Sequence, residues 1–174
     1  MSEIIYRSER PNDYEGISKI NDLAFGRPNE GKLIEALRSN EEFIPELSLV
    51  ADRDGMLLGH ILFYPIHIDG GGKKHPCLSL APLAVLPEYQ SKGIGGELTK
   101  IGLIKSREAG YDTILVIGHP SYYPKFGFVT ASGKDIQCPF PAPDEAFMLI
   151  ELREGALDGK SGMGVFPNEY SEFS

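Results

Sequence analysis

The chain has 174 residues, a length typical of a single domain. Hydrophobic residues make up 41% and charged residues 24%, which is ordinary for a globular protein and excludes a disordered or fibrous chain. The balance of 17 basic and 25 acidic residues gives a net charge of −8, and a pI near 5.0 argues against a protein that binds phosphate backbones. We therefore expect no nucleic-acid partner.

The cysteines and the first residues indicate the compartment. Cys77 and Cys138 lie too far apart for a metal knuckle and are too few for a disulfide scaffold, so we expect two buried thiols. Residues 1–7 contain no basic segment followed by an apolar one, and no apolar run approaches the roughly 20 residues of a membrane span. These features predict a cytoplasmic protein that does not enter a membrane.

The first third of the chain predicts a strand followed by two helices. Residues 4–6 form a short strand signal, and Pro11-Asn12-Asp13 supplies turn and N-cap residues for a helix. A break at 26–29 separates this helix from a second, shorter one. The apolar positions of the two helices are Ile17, Ile20, Ala24, Leu33, Ile34 and Leu37.

Two hairpins follow. Residues 47–51 and 56–68 are rich in strand-forming side chains, and the Asp54-Gly55 pair between them is a strong hairpin signal. A Gly-rich turn at 70–74 leads into a strand over 77–85, which we expect Pro82 to interrupt. The region thus predicts antiparallel pairing.

The next segment predicts a crossover. Residues 94–109 form a helix closed by Gly110, with Ile94, Leu98, Ile101 and Ile104 on one face. Residues 113–117 are continuously apolar, as in a central strand buried on both sides. Strand, helix and strand together predict one parallel pair in an otherwise antiparallel sheet.

The last third is less regular. A short Tyr-rich helix at 121–126, a turn at Gly127 and a strand at 147–152 are predicted. Residues 155–174 have little periodicity and many glycines, so they predict a tail without an assignable role.

The Gly-rich stretch between residues 83 and 98 joins a strand to a helix, a geometry that binds anions. A turn that needs only flexible glycines is an equally good interpretation of this stretch taken alone. A dinucleotide fingerprint is disfavoured because Leu98 stands at its third glycine position. Gly159-Lys160-Ser161 is not a Walker loop, since Gly155 is one residue too close.

Two motifs in this order carry a family resemblance. Gln90-x-x-Gly93-x-Gly95 follows a strand, and the segment 118–128 contains Tyr123-x-x-x-Gly127-Phe128. The pair resembles the acetyl-CoA and tyrosine motifs of the GNAT superfamily of N-acetyltransferases, in particular a bacterial subgroup. The resemblance covers residues 1–152 in element order and implies an α/β fold, a mixed, mostly antiparallel twisted sheet with helices on both faces. Residues 153–174 are then a C-terminal extension.

The resemblance implies acetyl-CoA as cosubstrate and no metal. The pyrophosphate is expected on the loop amides, and pantetheine along a strand edge that Pro82 helps to expose, in a slot where the fourth and fifth strands splay apart. A backbone N–H near Ala84 or Val85 would stabilise the oxyanion. The implied donor-binding residues are Leu83, Ala84, Val85, Gln90, Ser91, Lys92, Gly93, Ile94, Gly95 and Gly96.

Tyr123 stands at the position of the family's general acid, which would protonate the departing CoA thiolate, and Tyr122 is its alternate. The alternative interpretation is that both tyrosines pack a helix against the sheet. His119 is a candidate base, although a structural histidine is the favoured interpretation. The other histidines, His60 and His67 on a strand and His75 in a turn, are expected to be structural or exposed and to bind no metal.

The sequence therefore predicts transfer of an acetyl group from acetyl-CoA to a primary amine of a small molecule or peptide. Glu30 and Glu46 flank loops that, by the resemblance, border the acceptor site and would favour a cationic amine. A non-catalytic acyl-CoA sensor or interaction module on the same fold is the alternative. A nucleotide-binding domain that uses the Gly loop is a third interpretation, and a homodimer is left open.

Overall fold

A computed structural model describes residues 3–174. The strands are β1 (Ile5–Ser8), β2 (Ser48–Arg53), β3 (Met56–Gly70), β4 (Lys73–Val85), β5 (Thr113–Ile117), β6 (Val129–Thr130), β7 (Ile136–Gln137), β8 (Phe147–Glu151) and β9 (Gly162–Val165). The α-helices are α1 (Tyr14–Phe25), α2 (Asn29–Arg38), α3 (Ile94–Glu108) and α4 (Glu169–Glu172). Short 3₁₀ turns join several of these elements.

The strands hydrogen-bond in the order β1-β2-β3-β4-β5-β8-β6, with β9 paired to β3 and β7 paired to β9. The β4–β5 and β7–β9 pairs are parallel, whereas β1–β2, β2–β3, β3–β9, β5–β8 and β6–β8 are antiparallel. The predicted α/β fold with a mixed, mostly antiparallel sheet is confirmed. The chain divides into two compact units: residues 1–63, 82–105 and 168–174 form the first, and residues 64–81 and 106–167 form the second.

In the first unit, the predicted hairpin between β2 and β3 is confirmed. Arg53 pairs with Met56, so the loop consists of Asp54 and Gly55, whose φ angles are 51° and 87°. Two successive positive φ angles match the right-handed twist of the flanking strands, which is why Asp-Gly predicts such a turn. The Asp52 carboxylate closes the loop by accepting a hydrogen bond from the Gly55 amide at 2.8 Å.

Helices cover both faces of β3 within the first unit. A Cβ added to Gly59 would meet side chains of Ile94 and Leu98 at 3.1 Å, so this face of β3 lies directly under α3. The next residue, His60, is fully buried and points to the other face, because side chains alternate along a strand. There it bonds Ser48 in a network that reaches Arg38 at the end of α2.

This network joins three buried side chains, Glu9, Ser48 and His60, to the half-buried Arg38, and the four come from four separate segments. Arg38 donates two hydrogen bonds to the Glu9 carboxylate, at 2.9 and 3.0 Å, and the Ser48 hydroxyl donates to the same carboxylate. Ser48 Oγ also lies 2.9 Å from His60 Nε2, whereas His60 Nδ1 has no hydrogen-bond partner in the described part of the chain. The unfilled Nδ1 position favours a neutral imidazole, since a buried charge with one unsatisfied nitrogen is costly.

The burial of His60 predicts a pH-dependent stability. Desolvation, and then the charge of Arg38, lower the pKa of His60 from 6.5 to about 3. The unfolded imidazole therefore binds a proton at a pH where the folded one does not, and the free energy of unfolding falls as pH falls from 6.5 towards 3. The expected contribution is up to about 1.4 kcal/mol per pH unit.

Urea unfolding at pH 7.5, 6.0 and 5.0 measures this contribution, with His60→Asn as the comparison. The variant should be less stable at every pH but should lose less stability on acidification than the original chain. Equal losses on acidification in both proteins would contradict a neutral buried His60.

In the second unit, β5 lies between β4 and β8. Thr113 to Val116 are buried, which confirms the prediction of a central strand, and the parallel β4–β5 pairing confirms the crossover. The expectation that every other pair is antiparallel is wrong, because β7 and β9 also pair in parallel. Cys77 is buried as expected, and burial raises the pKa of its thiol to about 12. The expectation of a second fully buried thiol is wrong, because Cys138 is half-buried.

Two expectations about β4 and α3 are wrong. β4 runs without a break through Pro82, since the fixed φ of proline fits an extended strand and the ring removes only one donor. Ile104 is 61% exposed and does not join the buried face of α3. Gly102 occupies that face instead, where an added Cβ would lie 2.1 Å from the Phe63 ring, so the helix lies too close to β3 there to admit a larger residue.

Two further expectations concern loops. His75 lies in β4, not in a turn, because β4 begins at Lys73. The stretch expected to be an irregular tail contributes β9 to the sheet, where His67, Ile68 and Asp69 of β3 pair with Val165, Gly164 and Met163. It also contributes α4 to the first unit, where Asn40 Nδ2 donates a 3.0 Å hydrogen bond to the Glu169 carboxylate.

Candidate functional site

The Gly-rich loop of the first unit follows the end of β4. A 3₁₀ turn at Pro87–Tyr89 leads into it, and the Gln90 side-chain amide donates a 3.0 Å hydrogen bond to the Val85 carbonyl. The Leu86 amide in turn donates to the Leu58 carbonyl of β3 at 2.9 Å. These bonds hold the start of the loop against the sheet.

The loop backbone is shaped to hold an anion. Ser91 and Gly93 have φ angles of 62° and 89°, on either side of Lys92, and such alternation turns successive N–H groups towards one concave surface. The Gly93 carbonyl accepts the first helical bond, from Glu97 N at 3.0 Å, so α3 begins directly after it. The amides of residues 94–96 therefore lack intrahelical partners and carry the positive end of a 15-residue helix dipole.

Sequence reasoning missed one cation beside this loop. Arg53, at the end of β2, has its guanidinium carbon 5.7 Å from the centre of the Tyr89 ring, and Lys92 Nζ lies at the same distance from that ring. The sequence signal was weak because Arg53 stands 39 positions before Lys92, in a hairpin whose Asp-Gly pair indicates a turn but no ligand. Besides its amides, the loop thus has one cation of its own, Lys92, and a second one beside it, Arg53.

The tyrosine segment belongs to the second unit and follows β5. Residues Tyr123–Phe126 form a 3₁₀ turn, which corresponds to the short helix predicted there. The His119 carbonyl accepts bonds from the amides of Tyr122 and Tyr123, at 3.0 and 3.5 Å. Gly127 closes the turn with a φ of 106°, so the glycine of the Tyr-x-x-x-Gly-Phe motif is required by its backbone conformation.

Tyr123 is 8% exposed and held by its neighbours. Its ring packs edge-on against Tyr122 and Phe128, with centroids 5.0 and 5.4 Å away. A Cβ on Gly118 would lie 2.5 Å from Tyr123 Cε2, so the absence of a side chain at 118 makes room for this ring. Burial, together with Tyr122, raises the pKa of the Tyr123 hydroxyl above its usual value near 10. The hydroxyl is therefore a proton donor at neutral pH.

Tyr122 is half-buried and has a different environment. Its ring packs against Phe126 at 5.3 Å, and Lys125 Nζ lies 4.1 Å from the ring centre. Both tyrosines therefore pack the turn, and for Tyr123 such packing is compatible with a chemical role because it fixes the ring.

The remaining sequence candidates are dispersed. His119 is exposed, and His60 is locked in the Ser48 network. His75 Nε2 lies 2.8 Å from Asp112 Oδ1. The Glu30 carboxylate is paired with Arg27 on the surface of the first unit.

Two more candidates have no side-chain hydrogen bond or ion pair within residues 3–174. His67 is half-buried on β3, and Glu46 is exposed, with its carbonyl accepting a bond from Ser8. In residues 3–174, no group of three or more His, Cys, Asp or Glu side chains is arranged to hold a metal ion. No helix in the same residues is both long and apolar enough to cross a membrane.

The family model of the acetyltransferase (GNAT) domain matches residues 5–131. The chain belongs to the GNAT acetyltransferases, as the two motifs predicted. It is 32% identical over 171 residues to the uncharacterized N-acetyltransferase YhbS of Escherichia coli K12, covering 98% of this chain and 100% of that protein. It is 40% identical over 134 residues to the uncharacterized N-acetyltransferase YjhQ of the same strain, covering 76% and 74%.

Two crystal structures show the same fold. Escherichia coli YhbS in complex with CoA is 30% identical and superposes with a TM-score of 0.92, covering 100% of this chain and 95% of that one. A GNAT family acetyltransferase of Brucella melitensis in complex with acetyl-CoA is 30% identical, with a TM-score of 0.79 and coverage of 98% and 99%.

Proposed function

We propose that this GNAT acetyltransferase transfers the acetyl group of acetyl-CoA directly to a primary amine of a small molecule or peptide. The observation that carries the proposal is the loop at 90–96, where Ser91 and Gly93 shape a concave row of amides at the start of α3. The binding of CoA by Escherichia coli YhbS and of acetyl-CoA by the Brucella melitensis protein supports the same ligand here.

The proposed donor site keeps the residues assigned from the motifs. The amides of residues 91–96 receive the pyrophosphate, and Gln90 holds the loop through its bond to Val85. Pantetheine lies along Leu83, Ala84 and Val85, the last residues of β4, and pairs with their backbone as an added strand would. An N–H near Ala84 or Val85 stabilises the oxyanion.

The proposed reaction needs one acid and one base. The amine nitrogen attacks the thioester carbonyl carbon, and the tetrahedral intermediate collapses as the carbon–sulfur bond breaks. The sulfur leaves with a proton from the Tyr123 hydroxyl, which burial keeps protonated. The proton lost from the attacking ammonium passes to water or to an exposed group such as His119.

A thermal-shift titration with acetyl-CoA, CoA, ATP and NAD tests the donor site, because a ligand that binds the folded state raises Tm. Shifts with acetyl-CoA and CoA alone are expected. Shifts with none of the four, or with ATP or NAD alone, would overturn the proposal. A panel of amines with acetyl-CoA then tests transfer, and binding without any transfer would favour an acyl-CoA sensor.

Gly95→Val tests the pyrophosphate position. A branched side chain in the first turn of α3 blocks the close approach of the phosphate oxygens, so the Kd for CoA should rise by about tenfold or more. Isothermal calorimetry measures Kd, and the unfolding midpoint in urea shows whether the fold is retained. An unchanged Kd in a folded variant would contradict this placement.

Two expectations accompany the proposal. Residues 1–152 form the acetyltransferase domain with 153–174 as an extension, and the protein acts in the cytoplasm. The oligomeric state is open between a monomer and a homodimer, and the mass from chromatography coupled to light scattering at micromolar concentration decides between them.

A further inference from the structure

Arg53 and Lys92 are cations without an acidic partner in the described part of the chain. Arg53 Nε is buried and makes no hydrogen bond within residues 3–174, and no carboxylate there lies within ion-pair distance of either side chain. A buried polar atom of an arginine without a partner is costly, and arginines with this property commonly face an anion.

The two cations come from different elements of the first unit and meet at one ring. Arg53 reaches the Tyr89 ring from β2, and Lys92 reaches it from the loop, each at 5.7 Å from the centroid. Tyr89 directly precedes Gln90, and Lys92 lies within the loop itself, so the Arg53 side chain stands beside the start of the loop. The cluster therefore borders the proposed pyrophosphate loop.

We propose that Arg53, with Lys92, binds the 3′-phosphate of CoA, an inference that rests on the proposed function. The loop amides and the helix dipole suit the pyrophosphate, in which each phosphate carries a single negative charge. A phosphate monoester carries close to two negative charges at pH 7, and full cations with a fork of N–H donors suit it better. Arg53 thus selects CoA over analogues that lack this group.

The test compares CoA with 3′-dephospho-CoA by calorimetry. The original chain should bind CoA about tenfold more tightly than 3′-dephospho-CoA. Arg53→Gln should raise the Kd for CoA by a similar factor and change the Kd for 3′-dephospho-CoA by less than about twofold. Lys92→Gln should also reduce the preference for CoA over 3′-dephospho-CoA. Because Lys92 is exposed, this variant replaces Arg53→Gln in the test if Arg53→Gln does not fold. Arg107→Gln, an exposed residue in the last turn of α3, is the matched charge control and should keep the full preference.

The outcomes separate the two proposals. A chain that binds neither ligand refutes the proposed function, and the inference falls with it. A chain that binds both ligands equally, or an Arg53→Gln variant that weakens both by the same factor, overturns the 3′-phosphate assignment and leaves the donor site standing. If Arg107→Gln loses the preference for CoA over 3′-dephospho-CoA, the preference comes from the general charge of the protein, and this result would also overturn the 3′-phosphate assignment.

Discussion

Tyr123→Phe should lower kcat by about two orders of magnitude while the Kd for acetyl-CoA changes by less than about twofold. The substitution removes one oxygen and keeps the ring, so the packing against Gly118 and Phe128 is retained. Without the hydroxyl, the CoA sulfur must leave as a thiolate. Steady-state kinetics with an amine found by the panel, and calorimetry with acetyl-CoA, measure the two quantities.

Tyr122→Phe is the matched control, because it removes the same atom from the neighbouring half-buried ring. It should leave kcat within about twofold, since general acid catalysis requires a hydroxyl positioned at the leaving group. If Tyr122→Phe loses activity and Tyr123→Phe does not, Tyr122 is the acid. Similar, small effects in both variants would favour the interpretation that the tyrosines only pack the turn.

The pH dependence of kcat adds a second check on Tyr123. Burial raises the pKa of its hydroxyl, so this acid stays protonated throughout the range from pH 7 to 9. Ionisation of Tyr123 should therefore not lower the rate between pH 7 and 9. Any decline of the rate in this range should persist in Tyr123→Phe. A decline that does disappear would mean that the hydroxyl ionises there, in conflict with its burial.

Features set by neighbouring residues were predictable from the sequence. The turn at Asp54 and Gly55 needs two positive φ angles, and that requirement is visible in the residue types. The start of α3 was equally visible, because glycines between a strand and an amphipathic helix mark a helix N-terminus. The local geometry of the Gly-rich loop follows from these signals.

Features that depend on distant residues were not predictable. β9 is a Gly-rich segment without alternating side chains, and its pairing with residues 67–69 shows only in space. A Cβ on Gly70 would lie 1.8 Å from the Ser161 carbonyl oxygen, so the glycine there permits two backbones to approach closely. From composition alone, such glycines predict a flexible segment, whereas in the structure they lie in close contact with a neighbouring backbone.

The same limit explains why His60 and Arg53 were not identified as parts of clusters. The partners of His60 come from β2, α2 and the residue after β1, and Arg53 meets Lys92 over Tyr89. A single histidine or arginine in a sequence has no spacing that could indicate such neighbours. Both clusters arise from the folding of the first unit.

Arg38→Met should lower the free energy of unfolding by about 3–5 kcal/mol. The Glu9 side chain is 1% exposed and that of Arg38 11%. The substitution therefore leaves a buried carboxylate that, among the described residues, keeps the Ser48 hydroxyl as its side-chain donor. It also removes the guanidinium that lies 3.9 Å from the centre of the Tyr14 ring. Urea unfolding at pH 7.5 measures the change.

Two further variants separate charge burial from loss of packing. Arg27→Met breaks an exposed pair with Glu30 and should change stability little, because solvent screens such pairs. The double variant Arg38→Met with Glu9→Gln removes both charges and should regain part of the loss, since the uncompensated carboxylate is gone. A double variant as unstable as Arg38→Met alone would mean that Arg38 contributes by packing on Tyr14 and not by neutralising Glu9.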